Sequence, residues 1–71
     1  MDNKQLIKFF SDFWKIDASQ INENLRFDSS ELDFDSLRFY QFIAALESNF
    51  NVTVGKINEL HTFKDLQENI K

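Results

Sequence analysis

The chain has 71 residues, a length near the lower limit for a core that folds without disulfides or a structural metal. It contains no cysteine, which excludes disulfides, thiolate metal sites and a cysteine nucleophile. The net charge of −4 disfavours nucleic-acid binding. No apolar run is long enough for a signal peptide or a membrane span, so we expect a cytoplasmic protein. We also expect a monomer with one domain over residues 1–71.

The first predicted element is a helix. Proline is absent and Gly55 is the only glycine, a composition that favours helices over a turn-rich β fold. Asp2 or Asn3 can cap a first helix that runs to about Lys15. Its apolar residues recur at helical spacing and should form one buried stripe with Phe9 beside it: Leu6, Ile7, Phe10, Phe13 and Trp14.

The apolar residues between Ile16 and Phe34 show no sustained helical or strand periodicity. Between Asp17 and Asp35 the chain carries six acids against the single base Arg26, whereas from Ser36 to the end the signs balance, four against four. This acidic patch would repel nucleic acid and attract basic protein surfaces. A loop this long in so small a domain indicates a functional segment. Four of its apolar residues should anchor it to the core: Ile21, Leu25, Phe27 and Leu32.

The second predicted helix starts at Asp35, whose carboxylate can accept a hydrogen bond from the amide of Leu37 or Arg38, and it runs to about Phe50. Its apolar residues are too many for one face. One set follows helical spacing and should face the core: Phe39, Phe42, Ile43, Leu46 and Phe50. A second, narrower stripe begins beside Ser36 and should be exposed, as a docking surface requires: Leu37, Tyr40 and Ala44.

After this helix Val52 and Val54 alternate with polar residues, but no credible partner strand exists, so we predict an extended connector. Residues 56–60 can make one helical turn that presents Ile57 and Leu60 inward. A last helix should follow.

The last predicted helix begins after Thr62, which can cap it with Asp65 as the acid of a capping box. Phe63, Leu66 and Ile70 have the spacing of its core face. The predicted fold class is therefore all-α: a small bundle of three main helices plus one short helix.

The run Asp35-Ser36-Leu37 is followed, at the end of the same helix, by Ala45-Leu46-Glu47 and Phe50. This pattern resembles the attachment motif of acyl carrier proteins and the related peptidyl carrier domains, in which Asp-Ser-Leu precedes a helix that ends in a pattern like Ala-Leu-Glu-x-x-Phe. The two parts have the same separation here, and the chain length and the midpoint position of the serine also fit. The resemblance covers nearly the whole chain and implies an acyl-carrier-protein-like bundle.

In that family the motif serine carries 4'-phosphopantetheine through a phosphodiester, and the terminal thiol of this cofactor holds an acyl or aminoacyl group as a thioester. The resemblance therefore implies that Ser36 is the attachment site, with Asp35 and Leu37 beside it, and that the chain is a phosphoprotein. The chain would be a stand-alone carrier and not an enzyme, serving as a covalent substrate shuttle between other enzymes.

The partners implied by the resemblance are a phosphopantetheinyl transferase and the enzymes that load and transfer acyl or aminoacyl groups. Neither nucleic acid nor membrane insertion is expected. Partner contacts are expected along the second helix from its start: Leu37, Arg38, Tyr40, Gln41, Ala44 and Glu47.

Two features bear on the pathway and the cargo. Carriers of fatty acid synthesis usually have a glycine shortly before the motif and a strongly acidic second helix, whereas here Arg38, Gln41 and Ser48 stand where acids are frequent. These residues favour a specialised pathway over general fatty acid synthesis, which stays an alternative. The large phenylalanines of the second helix either fill the space between helices or line an apolar tunnel, and we predict a short or polar cargo that stays in solvent.

Other candidate sites are weaker. His61, the only histidine, is expected to be a surface or structural residue, and no acid-base-nucleophile set surrounds Ser36. The second Asp-Ser pair, Asp28-Ser29, is followed by Ser30 and lacks both the leucine and the long helix.

A metal site is not predicted either, because the acidic cluster lacks the glycine and the ligand spacing of a calcium loop; its members are Asp28, Glu31, Asp33 and Asp35. The alternative from a different functional class is an unmodified helical module that binds a partner through the strip formed by Leu37, Tyr40 and Ala44.

Overall fold

The computed structural model of the protein describes residues 2–28 and 35–71. Its helices are α1 (Asn3–Trp14), α2 (Ser36–Phe50) and α3 (Phe63–Glu68), and two 3₁₀ turns lie at Ala18–Gln20 and Ile57–Glu59. No β-strand occurs in these two ranges. The predicted all-α bundle of three main helices and one short helix is confirmed, and the turn at Ala18–Gln20 is an addition to it.

Local hydrogen bonds fix both ends of α1. The Asp2 carboxylate accepts a hydrogen bond from the amide of Lys4 at 3.1 Å. At the other end Lys15 adopts a left-handed conformation with φ of 58°, and its amide donates to the carbonyl of Ser11. Both ends lie where the sequence predicts them. The inward face is also as predicted, with Leu6, Phe10 and Trp14 buried and Ile7, Phe9 and Phe13 half-buried.

The capping box predicted for α3 is present. The Thr62 hydroxyl accepts a hydrogen bond from the amide of Asp65 at 3.2 Å, and the Asp65 carboxylate accepts one from the amide of Thr62 at 3.1 Å. The amide of His61 donates to the same carboxylate at 3.0 Å. The His61 amide, followed by the Thr62 amide, holds the pKa of Asp65 below its usual value because both hydrogen bonds favour the carboxylate form.

An antiparallel bridge joins the acidic segment to the start of α3. Arg26 pairs with Thr62, and the amide of Phe27 donates to the carbonyl of His61 at 2.9 Å. The bridge holds the residues just before α3 against the acidic segment, whose apolar anchors Ile21, Leu25 and Phe27 are buried as predicted. Leu32, the fourth predicted anchor, lies outside the described residues.

The segment after α2 is the extended connector that the sequence predicts, because residues 51–56 form no strand. The connector also has a pairing that the sequence analysis does not predict. Val54 forms an isolated antiparallel bridge with Ile70, and Thr53 and Lys71 exchange two backbone hydrogen bonds at 3.0 and 2.8 Å. The partner is the chain end after α3, where only Ile70 carries an apolar side chain, so no strand pattern marks it in the sequence.

Phe42, on α2, is the centre of the core. Its side chain is fully buried. The centroids of five described aromatic rings lie between 5.2 and 6.4 Å from the centroid of its ring: Phe9, Phe10, Phe13, Trp14 and Phe39. Phe10 in turn contacts the ring of Phe63 on α3 at 5.3 Å, edge to face. One aromatic cluster therefore connects all three helices.

We expect Phe42→Leu to lower the free energy of unfolding by about 1–3 kcal/mol, because the smaller side chain leaves a gap among rings that are already close-packed. Phe50→Leu, at the half-buried end of the same helix, is the matched control and should cost less. Urea denaturation followed by circular dichroism measures both. Equal losses would contradict the central role of Phe42.

Candidate functional site

Ser36 is the first residue of α2, and its side chain is exposed. Asp35 precedes it in an extended conformation, and its carboxylate accepts a hydrogen bond from the amide of Leu37 at 3.2 Å, which confirms the predicted cap. The Ser36 hydroxyl makes no hydrogen bond to any residue in 2–28 or 35–71. The structure therefore leaves this hydroxyl accessible to a reagent or a second protein.

The start of α2 suits a negatively charged group. In a helix of 15 residues the first backbone amides carry a partial positive charge and have no partner within the helix. A phosphodiester attached to Ser36 Oγ would lie beside these amides, which favour anions. The residues around Ser36 therefore fit the attachment of a phosphate-linked group.

An exposed apolar strip runs from Ser36 along α2. Leu37 is 65% exposed and Tyr40 is 48% exposed, and these are the large apolar side chains that are exposed within the described residues. Ala44 and Gln41 are exposed as well. Leu37, Tyr40 and Ala44 are separated by three and four positions, so they share one helical face. The predicted exposure of these three residues is confirmed.

Arg38 points the other way and ties the start of α2 to the end of α1. Its guanidinium carbon lies 5.4 Å from the ring centroids of both Phe13 and Trp14. Its Nη2 donates a hydrogen bond to the carbonyl of Phe13 at 3.3 Å, one of the last carbonyls of α1. Arg38 therefore fixes the end of α2 that carries Ser36.

Glu47 is also engaged within the molecule. Its carboxylate accepts a hydrogen bond from the amide of Val54 at 2.9 Å, which holds the segment after α2 against the helix. The side chains of Glu47 and Arg38 are half-buried, whereas those of Leu37, Tyr40 and Gln41 are exposed. The predicted partner residues thus differ in how accessible they are.

A cleft of about 240 Å³ opens beside Ser36, between α2 and the 3₁₀ turn Ile57–Glu59. Its polar lining consists of Ser36, Tyr40, Asn58 and His61. The Tyr40 hydroxyl donates a hydrogen bond to Asn58 Oδ1 at 2.9 Å and so connects the two walls. From the sequence alone, no functional role is predicted for Asn58, and a surface or structural role is predicted for His61. No signal in the sequence links residues 22 and 25 positions after Ser36 to it.

The acidic patch is only partly described. Asp28 pairs with Arg26, whose Nε lies 3.1 Å from Asp28 Oδ1, and this hydrogen bond holds the pKa of Asp28 below its usual value. Glu31 and Asp33 lie outside the described residues, as do Ser29 and Ser30. Within 2–28 and 35–71 no three acidic or histidine side chains are grouped as metal ligands would be.

The α1–α2 contact made by Arg38 can be tested by Arg38→Lys, which keeps the charge but loses the planar group that stacks on Phe13 and Trp14. We expect the free energy of unfolding to fall by about 1 kcal/mol, together with a change in the fluorescence of Trp14. Arg26→Lys is the matched control, since its exposed ion pair should contribute little. If both variants unfold at the same urea concentration as the parent, the contact is not stabilising.

Comparison with known proteins places the chain in a family. The family model described as "Phosphopantetheine attachment site" matches residues 4–68, a range that includes Ser36, α2, α3 and all of α1 except Asn3. No curated protein and no solved structure matches significantly. No helix in the described ranges is long and apolar enough to cross a membrane.

Members of the matched family carry a 4'-phosphopantetheine prosthetic group. They are carriers and not catalysts, and they interact with a phosphopantetheinyl transferase and with biosynthetic enzymes. Because the match covers most of its length, the chain belongs to the phosphopantetheine-binding carrier family.

Proposed function

We propose that the protein is a carrier in which Ser36 holds 4'-phosphopantetheine and through it an acyl or aminoacyl group. The observation that carries this proposal is the exposed Ser36 hydroxyl at the start of α2, without a hydrogen bond to the described residues and inside the matched family region. The bound group supplies a terminal thiol on which the cargo is held as a thioester. We treat residues 1–71 as one carrier domain.

Modification of Ser36 is a phosphoryl transfer from coenzyme A. The bond between Ser36 Oγ and the phosphorus next to pantetheine forms, the phosphoanhydride bond of coenzyme A breaks, and adenosine 3',5'-bisphosphate leaves. The hydroxyl proton is lost to a base. Because no described side chain of this protein pairs with the hydroxyl, we assign that base to the transferase. The contribution of this chain is an accessible nucleophile at a helix end that favours the phosphate.

The proposed partner surface is the strip formed by Leu37, Tyr40 and Ala44, with Gln41 at its edge. Its exposed apolar side chains begin directly after Ser36, so an enzyme that reaches the attachment site also covers them. Arg38 and Glu47 are predicted for the same surface. We give them a secondary part, because each already has a partner within the molecule.

We further propose a cytoplasmic, monomeric carrier that serves a specialised pathway. The support for the pathway is the charge of α2. Arg38, Gln41 and Ser48 bring no negative charge to a helix that is strongly acidic in carriers of fatty acid synthesis, so a basic partner surface would be attracted less strongly.

The attachment site is tested by incubating the protein with coenzyme A, magnesium and a broad-specificity phosphopantetheinyl transferase. Intact-protein mass should show a gain of one phosphopantetheine group in the parent and in Ser48→Ala, the control at an exposed serine of the same helix. Ser36→Ala should gain nothing, because the nucleophile is gone. A folded parent that gains no mass with any transferase of its own organism would favour the unmodified interaction module.

The partner surface is tested by Tyr40→Asp in the modified protein. We expect partner-catalysed loading or transfer to slow by about tenfold or more, corresponding to ~1.4 kcal/mol of lost binding, because a charge replaces the exposed ring. Gln5→Asp adds the same charge at an exposed position of α1 and should have little effect. Thermal unfolding of each variant separates a docking defect from unfolding. Unchanged turnover of Tyr40→Asp with every cognate partner would refute the assignment.

A further inference from the structure

The cleft beside Ser36 has two kinds of lining that the attachment of a phosphate does not use. Its polar lining includes Asn58 and His61, which are both exposed, and Tyr40, whose hydroxyl donates to Asn58. Its apolar lining is formed by Phe39, Ile57 and Leu60. Because Ser36 lines the same cleft, any group attached to its hydroxyl starts at the edge of this lining.

The hydrogen bonds of Asn58 determine which ligand atoms the polar lining can bind. Its Oδ1 already accepts a hydrogen bond from Tyr40, so its Nδ2 is left to donate, and no residue in the described ranges accepts from it. The His61 backbone amide donates to Asp65, and His61 is also one of the residues that line the cleft. These groups suit a ligand with hydroxyl and carbonyl oxygens.

The volume limits the size of such a ligand. About 240 Å³ exceeds the ~150 Å³ of an apolar cavity that takes up benzene and falls short of the ~300 Å³ at which pockets for drug-sized ligands begin. The cleft therefore accommodates a branched group of about ten non-hydrogen atoms or fewer, and not a whole phosphopantetheine with its cargo.

The described part of the core is filled by closely packed side chains. Phe42, Phe63, Leu46 and Leu66 are almost completely buried, and the ring of Phe42 is surrounded by other rings. A long acyl chain that entered between the helices would have to displace these rings, and close-packed cores resist such insertion. An apolar cargo therefore gains no room in the centre of the bundle.

We propose that the cleft binds the part of phosphopantetheine nearest to Ser36, the pantoyl unit, and that the cargo stays outside the bundle. The geminal dimethyl group of the pantoyl unit packs against Phe39, Ile57 and Leu60. Its hydroxyl and amide carbonyl form hydrogen bonds with Asn58 and His61. It follows directly after the phosphate, so its attachment to Ser36 keeps it at the cleft at a high effective concentration. This inference rests on the proposed modification of Ser36.

α2 and the segment from Ile57 to His61 then hold the attached group together. Asn58 and His61 position the attached group, and the Tyr40 hydroxyl fixes the amide of Asn58. A cargo at the far end of the group then meets solvent and partner enzymes instead of the core, which agrees with a short or polar cargo.

The test compares nuclear magnetic resonance spectra of the unmodified and the modified protein, after intact mass has shown that Ser36 is loaded. We expect cross-relaxation between the geminal methyl protons and the side chains of Ile57 and Leu60, and chemical-shift changes at Asn58 and His61. In Asn58→Ala the ratio of docked to free group should fall by about five-fold, because one hydrogen bond is lost. Glu59→Ala, in the same turn but outside the cleft, is the matched control and should behave as the parent.

The possible failures are distinguishable. A folded parent that gains no mass refutes the proposed function itself. A loaded parent whose shift changes stay within the residues adjacent to Ser36, without methyl contacts to Ile57 or Leu60, overturns the docking proposal and leaves the carrier function intact. Contacts from a long acyl cargo to Phe42 or Leu66 would overturn the inference that the cargo stays outside.

Discussion

The packing around the ring of Phe42 is the constraint on which the rest of the structure depends. A chain of 71 residues has little apolar area to bury, and here much of it is aromatic. The rings of α1 and α2 meet at Phe42, and Phe10 connects this cluster to Phe63 of α3 through a ring contact. The outer face of α2 lies outside this aromatic cluster and is exposed. That face is the one that presents Ser36, Leu37 and Tyr40.

The position of Ser36 follows from two contacts of different kinds. The Asp35 carboxylate caps the helix and determines which residue begins it. The Arg38 guanidinium rests on the last turn of α1 and determines where that helix end lies relative to the first helix. An acid at position 38 would have neither the planar stacking group nor the charge that the carbonyl end of α1 attracts. Arg38 thus has a structural role. It also stands at a position where carriers of fatty acid synthesis frequently have an acid.

Local signals made the helices predictable from the sequence. The caps at Asp2, Asp35 and Thr62 and the spacing of the phenylalanines depend on residues at most a few positions apart, and the structure confirms them. The exposed face of α2 is predictable for the same reason, since a helix with too many apolar residues for one face must expose some of them.

Contacts between distant parts of the chain could not be predicted in this way. The pairing of Val54 with Ile70 joins the connector to a chain end that has no strand pattern. Asn58 and His61 reach the cleft through tertiary contacts, and one of these is the pairing of Arg26 with Thr62, which holds the residues before α3 in place. Polar residues in a short turn have no periodicity that would mark them. The proposed attachment residue, Ser36, is therefore recognisable from its motif, whereas its surroundings require the tertiary structure.

Tyr40 belongs to two surfaces at once. Its ring forms part of the exposed strip, while its hydroxyl holds the amide of Asn58 across the cleft. A partner enzyme that packs against the ring has to accept the position set by that hydrogen bond or break it. The proposed docking of an enzyme and the proposed retention of the attached group therefore depend on the same side chain. A carrier built in this way would loosen its hold on the substrate at the moment when an enzyme is there to receive it.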